Sequence, residues 1–312
     1  MTPKLGYLLP TRERIIENRP ETGPLLDLAV RAEAEGFDTV WIGDSLTARP
    51  RHDPLTLLAA ISGRAPRIGL GTAVLLPALR NPVLLAHQVA TLDRICEGRL
   101  ILGVGLAQDV PNIRAEFAAA GVPFEKRIGR MLEGLRLCRS LWSGEPVDWA
   151  GRWTMTGATV APTPHRVGGP PLWIGGNLEP SLERAGKHFD GWFPIAPAPE
   201  AFGRGLAQVR AIAAHAGRDP DAVAGAMYLT LALDENQSRA EERLNSFLEQ
   251  YYGQPAAVLR RRQACYAGPA EGVAAWLSAY ASAGADHLCL RFAGEPEAQM
   301  AAVAKIRVLL GW

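Results

Sequence analysis

The sequence predicts an α/β protein folded as a single (β/α)8 barrel, and three observations predict it. Short apolar runs of strand length alternate with amphipathic helical stretches along nearly all of the 312 residues. Several strand segments, such as Ile68–Leu76 and Arg99–Val104, are almost continuously apolar, the pattern of strands buried on both faces of a parallel sheet. Glycine-rich or polar loops follow the strand ends, where such barrels build their sites. Residues 1–312 are therefore expected to form one domain, with a doubly wound open sheet as the runner-up.

The elements follow in order. Lys4–Leu9 is the first strand. Pro20–Glu35 is a helix with Leu25, Leu26, Leu28, Ala29 and Ala32 on its apolar side, closed by Gly36. Asp38–Ile42 is strand two, with Gly43-Asp44-Ser45 at its end and a polar loop at Leu46–Asp53. Pro54–Arg64 is a helix with proline in its first turn. Strand three, Ile68–Leu76, leads to a helix opened by Pro82 and closed by Gly98, with Val83, Leu84, Val89, Leu92 and Ile95 at helical spacing. Arg99–Val104 is strand four, so two parallel strands flank one crossover helix. Phe124–Trp142 reads as a long amphipathic helix. Pro146–Pro164 alternates and turns at Gly151, so a hairpin is expected as an insert between strands four and five. Leu172–Gly175 is strand five and Glu179–His188 its helix. Gly191–Ile195 is strand six, Glu200–Ala216 a helix and Ala222–Leu233 strand seven. Two helical segments lie between Asn236 and Ala283. Asp286–Phe292 is strand eight, and Pro296–Leu310 closes the chain.

Composition excludes several function classes. A formal net charge of +1 gives no reason to expect nucleic acid or an anionic membrane as partner. No apolar run reaches a membrane span, and the N-terminus enters a strand without a secretory cleavage pattern, so a cytoplasmic protein is expected. Cys96, Cys138, Cys265 and Cys289 are scattered, without CxxC, and suit reduced thiols. No HxH, HExxH or paired cysteines occur, so no metal site is expected. The lysines are Lys4, Lys126, Lys187 and Lys305, and Lys4 alone falls in a strand, at its N-terminal end, which argues against Schiff-base chemistry.

The barrel rule selects the C-terminal strand ends as candidate positions: Leu9-Pro10, Asp44-Ser45, Val74–Pro77, Gly105–Gln108, Gly175–Asn177, Pro194–Ala196, Asp234 and Arg291. Gly175-Gly176-Asn177 ends a strand just before a helix. Its backbone N–H groups suit a phosphate, and Ser181 could add a hydroxyl. The plainer reading is a tight turn with Asn177 as N-cap. Gly103-Val104-Gly105 lacks the third glycine of a dinucleotide fingerprint, since Gln108 stands there, and reads as a tight strand exit. His52 lies on the strand-two loop with Arg49, Arg51 and Asp53, where it could relay a proton or simply be solvated. Tyr7, Trp41, Trp173 and Trp192 fall in strands. An aromatic wall for a flat cofactor and ordinary core packing both explain them, and packing is the commoner reason.

The segment RNPxxLAxQxATLDxxxxGRLxLGVG, from Arg80 to Gly105, resembles the signature of the bacterial luciferase-like monooxygenase family of flavin- and deazaflavin-dependent oxidoreductases. GFDTVWIGDSL and PPLWIGGNLEPSLERAGKHFDGWFP join it in the family's order. The resemblance implies a phosphate-contacting loop at Gly175-Gly176-Asn177 with Ser181, and places Gly105, Leu106 and Ala107 beside the cofactor. It implies a non-proline cis peptide at Ala73-Val74, as in some members, whereas the residues alone predict an ordinary trans strand. Asp44 is retained where deazaflavin-dependent members carry Asp-His, but Ser45 replaces the histidine. Leu106-Ala107 stands where sugar-phosphate-oxidising members place a glutamate. Both departures argue against that hydride-transfer subtype. Asp44, Ser45 and His52 are the candidate catalytic residues.

With few groups able to do chemistry alone, a redox cofactor is expected to carry the difficult step. The resemblance implies reduced FMN and O2 acting on a small organic substrate, with a separate flavin reductase as partner and a homodimer as the usual assembly. The alternatives are coenzyme F420 moving a hydride without oxygen, and a barrel that binds a phosphorylated ligand without catalysis.

Overall fold

The computed structural model describes residues 2–312 and divides them into two compact units. One comprises the residues up to Trp41 together with Leu172–Trp312, and the other comprises Ile42–Pro171.

In chain order the elements are β1 (Lys4–Leu8), α1 (Thr11–Ile16), α2 (Gly23–Ala34), β2 (Thr39–Ile42), α3 (Pro54–Arg64), β3 (Gly69–Leu75), α4 (Pro82–Ile95), β4 (Leu100–Val104), α5 (Pro111–Ala119), α6 (Arg127–Leu141), β5 (Val147–Ala150), β6 (Thr154–Ala158), β7 (Leu172–Ile174), α7 (Glu179–His188), β8 (Gly191–Trp192), α8 (Pro199–His215), β9 (Ala224–Leu233), α9 (Gln237–Tyr252), α10 (Ala256–Leu259), β10 (Cys265–Gly268), α11 (Ala270–Ser282), β11 (His287–Phe292) and α12 (Pro296–Leu309).

Within Ile42–Pro171, β3 and β4 pair in parallel. The helix between them starts where local chemistry dictates. Asn81 accepts from the N–H groups of Val83 and Leu84, and Pro82 occupies the first turn. Its buried stripe is Leu85, Val89 and Leu92 with Ala86 and Ala90. Leu84 and Ile95, expected on that stripe, are instead 64% and 50% exposed. They lie eleven residues apart, three helical turns, and so share one outward line. Asp53 caps α3 through the Thr56 N–H at 2.9 Å. The expected hairpin is present as antiparallel β5 and β6. The predicted helix at Phe124 opens with a 3-10 turn before α6. Helix α5 was not foreseen; only Ile113, Glu116 and Phe117 of its nine residues are buried, too few to show a period.

In the other unit the parallel ladder runs β2, β1, β11, β9, β8, β7. The segment Asn236–Ala283 holds three helices and a further strand, β10, where two helical segments alone were expected. β8 is two residues long and pairs with the first part of β9, at Ala224 and Gly225. β10 then takes the same edge of β9 from Thr230 to Leu233. The predicted strand six, Gly191–Ile195, is observed as a strand only at Gly191–Trp192; beyond it the Tyr228 N–H bonds the Pro194 carbonyl and the Ala264 N–H bonds the Ile195 carbonyl. Tyr7 and Phe292 stack at 5.1 Å, with Phe37 edge-on, on one face of the strands. Trp41, Trp173, Phe193 and Tyr228 cluster on the other. Tyr7, Trp41, Trp173 and Trp192 are each at most 3% exposed, so core packing accounts for all four. No helix among the described residues is long and apolar enough to cross a membrane.

Candidate active site

In the unit Ile42–Pro171, Asp44 leaves the end of β2 with its side chain 2% exposed. Arg80 grips it with two guanidinium nitrogens, at 2.5 and 3.1 Å, and the Leu76 N–H donates to it at 2.9 Å. A bidentate guanidinium–carboxylate fork is the strong form of this contact. The same Arg80 reaches Asp53 at 3.2 Å. Burial pushes the Asp53 carboxyl up, but bonds from Thr56 and the Arg80 charge outweigh it and hold it below its ordinary value. One arginine thus ties the end of β2, the segment after β3 and the cap of α3 together.

Ser45 points to another partner. Its hydroxyl donates to Glu116 at 2.7 Å and accepts from the Arg49 N–H at 2.9 Å. Glu116, 1% exposed, also accepts from the N–H groups of Leu46, Thr47 and Ala48 at 2.5, 2.9 and 3.2 Å. This carboxylate fixes the loop that follows strand two. His52 lies half-buried on the same loop.

The peptide between Ala73 and Val74 is cis. Both residues are half-buried between fully buried neighbours. Gly105 lies against Val74: a Cβ there would stand 2.5 Å from Val74 Cγ2. Leu106 and Ala107 are half-buried, Ala107 has a φ of 61°, and the Leu106 carbonyl accepts from Arg127 at 3.0 Å.

In the other unit, Gly175, Gly176 and Asn177 lie between β7 and α7, with Gly176 and Asn177 exposed. Gly176 has a φ of 103°, and a Cβ on it would sit 2.6 Å from Ser181 Oγ. The Trp192 indole N–H holds the Gly176 carbonyl at 2.7 Å. Ser181 is buried in the first turn of α7, and Arg184 donates to its hydroxyl at 3.1 Å. Burial lowers the Arg184 pKa, and its Nε has no hydrogen-bond partner. Leu178, not Asn177, is the N-cap of α7, and no side chain caps that helix.

Arg80, Glu116 and Arg184 were missed at the level of sequence. Arg80 stood in plain view as the first residue of the RNP segment, and Arg184 lies three residues beyond Ser181. Glu116 carried no local signal. Among the described residues no group of three potential metal-binding side chains gathers.

Residues 3–287 match the model of a protein family described as luciferase-like monooxygenase. The chain is 33% identical over 210 residues to a 5,10-methylenetetrahydromethanopterin reductase of Methanolobus tindarius, a stretch covering 67% of this chain and 61% of that protein. It is 31% identical over 233 residues to an F420-dependent glucose-6-phosphate dehydrogenase of Nocardia farcinica, covering 70% of this chain and 67% of that one. In structure it resembles an F420-dependent secondary alcohol dehydrogenase, solved with an F420–acetone adduct, at a TM-score of 0.84 and 22% identity over 99% of both chains. That likeness establishes the fold as a closed eight-stranded parallel (β/α)8 barrel.

Proposed function

The chain belongs to the luciferase-like monooxygenase family, and on that premise we propose that it is an oxidoreductase using the deazaflavin coenzyme F420 as its hydride carrier. The observation that carries this reading is the 31% identity, over 70% of the chain, to a dehydrogenase named for that coenzyme. It displaces the reading drawn from the departures at Ser45 and Leu106-Ala107, a monooxygenase using reduced FMN and O2, to second place.

The residues present fit such a group. Gly176 leaves a backbone cradle that a Cβ would fill. Backbone N–H groups of Gly175, Gly176 and Asn177 would bind an anionic tail, with Ser181 and the Arg184 guanidinium behind them. Taken by itself, the unit Ile42–Pro171 offers at Ala73, Val74, Gly105, Leu106 and Ala107 backbone and small side chains of the kind that suit a flat ring. The bound coenzyme supplies the hydride; the chain supplies position and exclusion of water.

Asp44 is assigned to positioning, because Arg80 and Leu76 already occupy its oxygens. Ser45 is assigned to holding the loop, because its hydroxyl is engaged by Glu116 and Arg49. His52 is then the proton-handling candidate, imidazole being the side chain type that exchanges protons near neutral pH. The substrate is a small organic molecule. The sugar phosphate of the matched dehydrogenase is not carried over, since Leu106-Ala107 lacks the glutamate.

Anaerobic titration of the purified protein with F420 and with FMN, each oxidised and reduced, tests the reading. Saturable binding of F420, with oxidation of its reduced form on a carbonyl panel under argon, is the expected result. Preferential binding of FMN with consumption of O2 would overturn it in favour of the monooxygenase. Binding of either without turnover would favour a non-catalytic barrel.

A further inference from the structure

The unit formed by the residues up to Trp41 and Leu172–Trp312 contains a cavity of about 680 Å³, within the usual range for a small-molecule site. It is bounded by β1 and β11 and by α1, α2, α9 and the first turn of α12. Guanidinium and carboxylate groups both line it, and the existing ion pairs decide which sign prevails. Arg14, Arg31 and Arg243 are each paired with a carboxylate outside the lining: Glu21 at 3.0 Å, Glu35 at 3.4 Å and Asp234 at 3.2 Å. Arg19 pairs with Glu17 at 3.3 Å. Arg291 donates to Thr230, Gln263 and Tyr252, and the Glu13 charge favours its protonated form. Glu295 and Glu297, in the lining at the start of α12, make no ion pair or hydrogen bond among the described residues. The surplus is negative.

Acidic side chains are common at a helix N-terminus, so these two alone would indicate nothing. Tyr7 supplies the independent observation. It lines the same cavity and is 1% exposed, and no group among the described residues hydrogen-bonds its hydroxyl. Its ring stacks on Phe292 with Phe37 edge-on, which accounts for the apolar part of the side chain and leaves the oxygen unexplained. Burial raises the phenol pKa, and the charges of Glu13 and Glu297 raise it further. Both of those carboxylates line the cavity, so the hydroxyl stands on the cavity side. A buried polar atom without a partner is costly unless a bound molecule satisfies it.

We propose that this cavity binds a small organic ammonium ion, its charged head held between the Tyr7 hydroxyl and the Glu297 carboxylate. An ammonium carries three donors and no acceptor, which suits a phenol oxygen with free lone pairs beside carboxylates. Its charge answers the surplus in the wall, where an anion would meet Glu13, Glu295 and Glu297. Phe247 and Phe292, also in the lining, offer an apolar surface to the carbon skeleton. The site is independent of the coenzyme reading.

The test is calorimetric titration of the full chain at pH 7 and low salt with benzylamine, without any redox coenzyme. Benzyl alcohol, of the same shape but neutral, and benzoate, the anion, are titrated separately. Benzylamine is expected to bind saturably, and the other two at least about tenfold more weakly, as for loss of a charge-assisted hydrogen bond. Tyr7→Phe should weaken benzylamine severalfold and melt at or above the wild-type temperature, because the hydroxyl removed has no protein partner. Glu297→Gln, at an exposed position, should also weaken it severalfold. Absence of saturable benzylamine binding, equal affinity for benzyl alcohol or benzoate, or unchanged affinity in either variant would each overturn the proposal. So would a lower melting temperature of Tyr7→Phe with affinity retained, which would make the hydroxyl a structural group. If Tyr7→Phe does not fold, Glu297→Gln decides by the same criterion. Failure of F420 to bind would leave these outcomes unaffected.

Discussion

Replacing Arg80 with Met should destabilise the protein more than any other single change of a charged residue in its unit. The Asp44 side chain is 2% exposed, against 14% for Arg80 and 47% for Asp53, so the two arms of Arg80 differ in kind. The arm to Asp53 is a surface contact worth about 0–1 kcal/mol. The arm to Asp44 is a buried fork, and breaking it leaves a carboxylate held by the Leu76 N–H. Loss of one partner from such a pair costs about 3–5 kcal/mol. At about 2–4 °C per kcal/mol for a large domain, the melting temperature should fall by roughly 10 °C. Asp44→Asn combined with Arg80→Met removes both charges, and should cost about 2 kcal/mol less than the sum of the two single changes. Thermal melting of the four proteins by circular dichroism measures this. A fall below about 2 °C for Arg80→Met, or strict additivity in the cycle, would refute the assignment of Arg80 as the clamp on Asp44.

Glu116→Ala strands the Ser45 hydroxyl and the N–H groups of Leu46, Thr47 and Ala48 at once, so roughly 3 kcal/mol of stability should be lost, with hydrogen exchange speeding first at those three amides; unchanged exchange there would count against it. Gly176→Ala puts a Cβ at 2.6 Å from Ser181 Oγ with φ at 103°, and should weaken F420 binding at least about tenfold for a stability loss near 1–2 kcal/mol. Equal affinity in that variant would remove the phosphate role of the loop. Burial pushes the Cys138 thiol from 9.0 up to about 12, so above pH 9 the unfolded chain ionises there while the folded one does not. The urea midpoint should therefore decline as pH rises from 9 toward 12, and Cys138→Ala should flatten part of that decline; a parallel decline in both proteins would assign it elsewhere. For the same reason a thiol reagent at pH 8 should leave Cys138 and Cys289 unmodified until the protein is denatured.

Much of this protein was determined by its sequence alone, wherever the deciding contacts are local. Pro54–Arg64 and Glu179–His188 match the helices residue for residue, and Pro82 and Asn81 set the start of α4, because caps, prolines and periodicity act within a turn or two. The same holds for the Gly175-Gly176 loop, whose second glycine is required by a positive φ at its own position. Tertiary structure decided the rest. Ser45 meets Glu116 across 71 residues and Asp44 meets Arg80 across 36, so two candidate catalytic groups turned out to be fastened by partners that no local pattern announces. β10 exists because a two-residue β8 leaves part of the β9 edge unpaired, an opening that only the folded ladder creates. Arg291 reads from the sequence as a strand end; its hydrogen bonds to Tyr252, Thr230 and Gln263 arise when α9, β9 and the segment before β10 close around it. Short-range chemistry is written in neighbouring residues, whereas the pairing of buried charges depends on which distant segments the fold brings together.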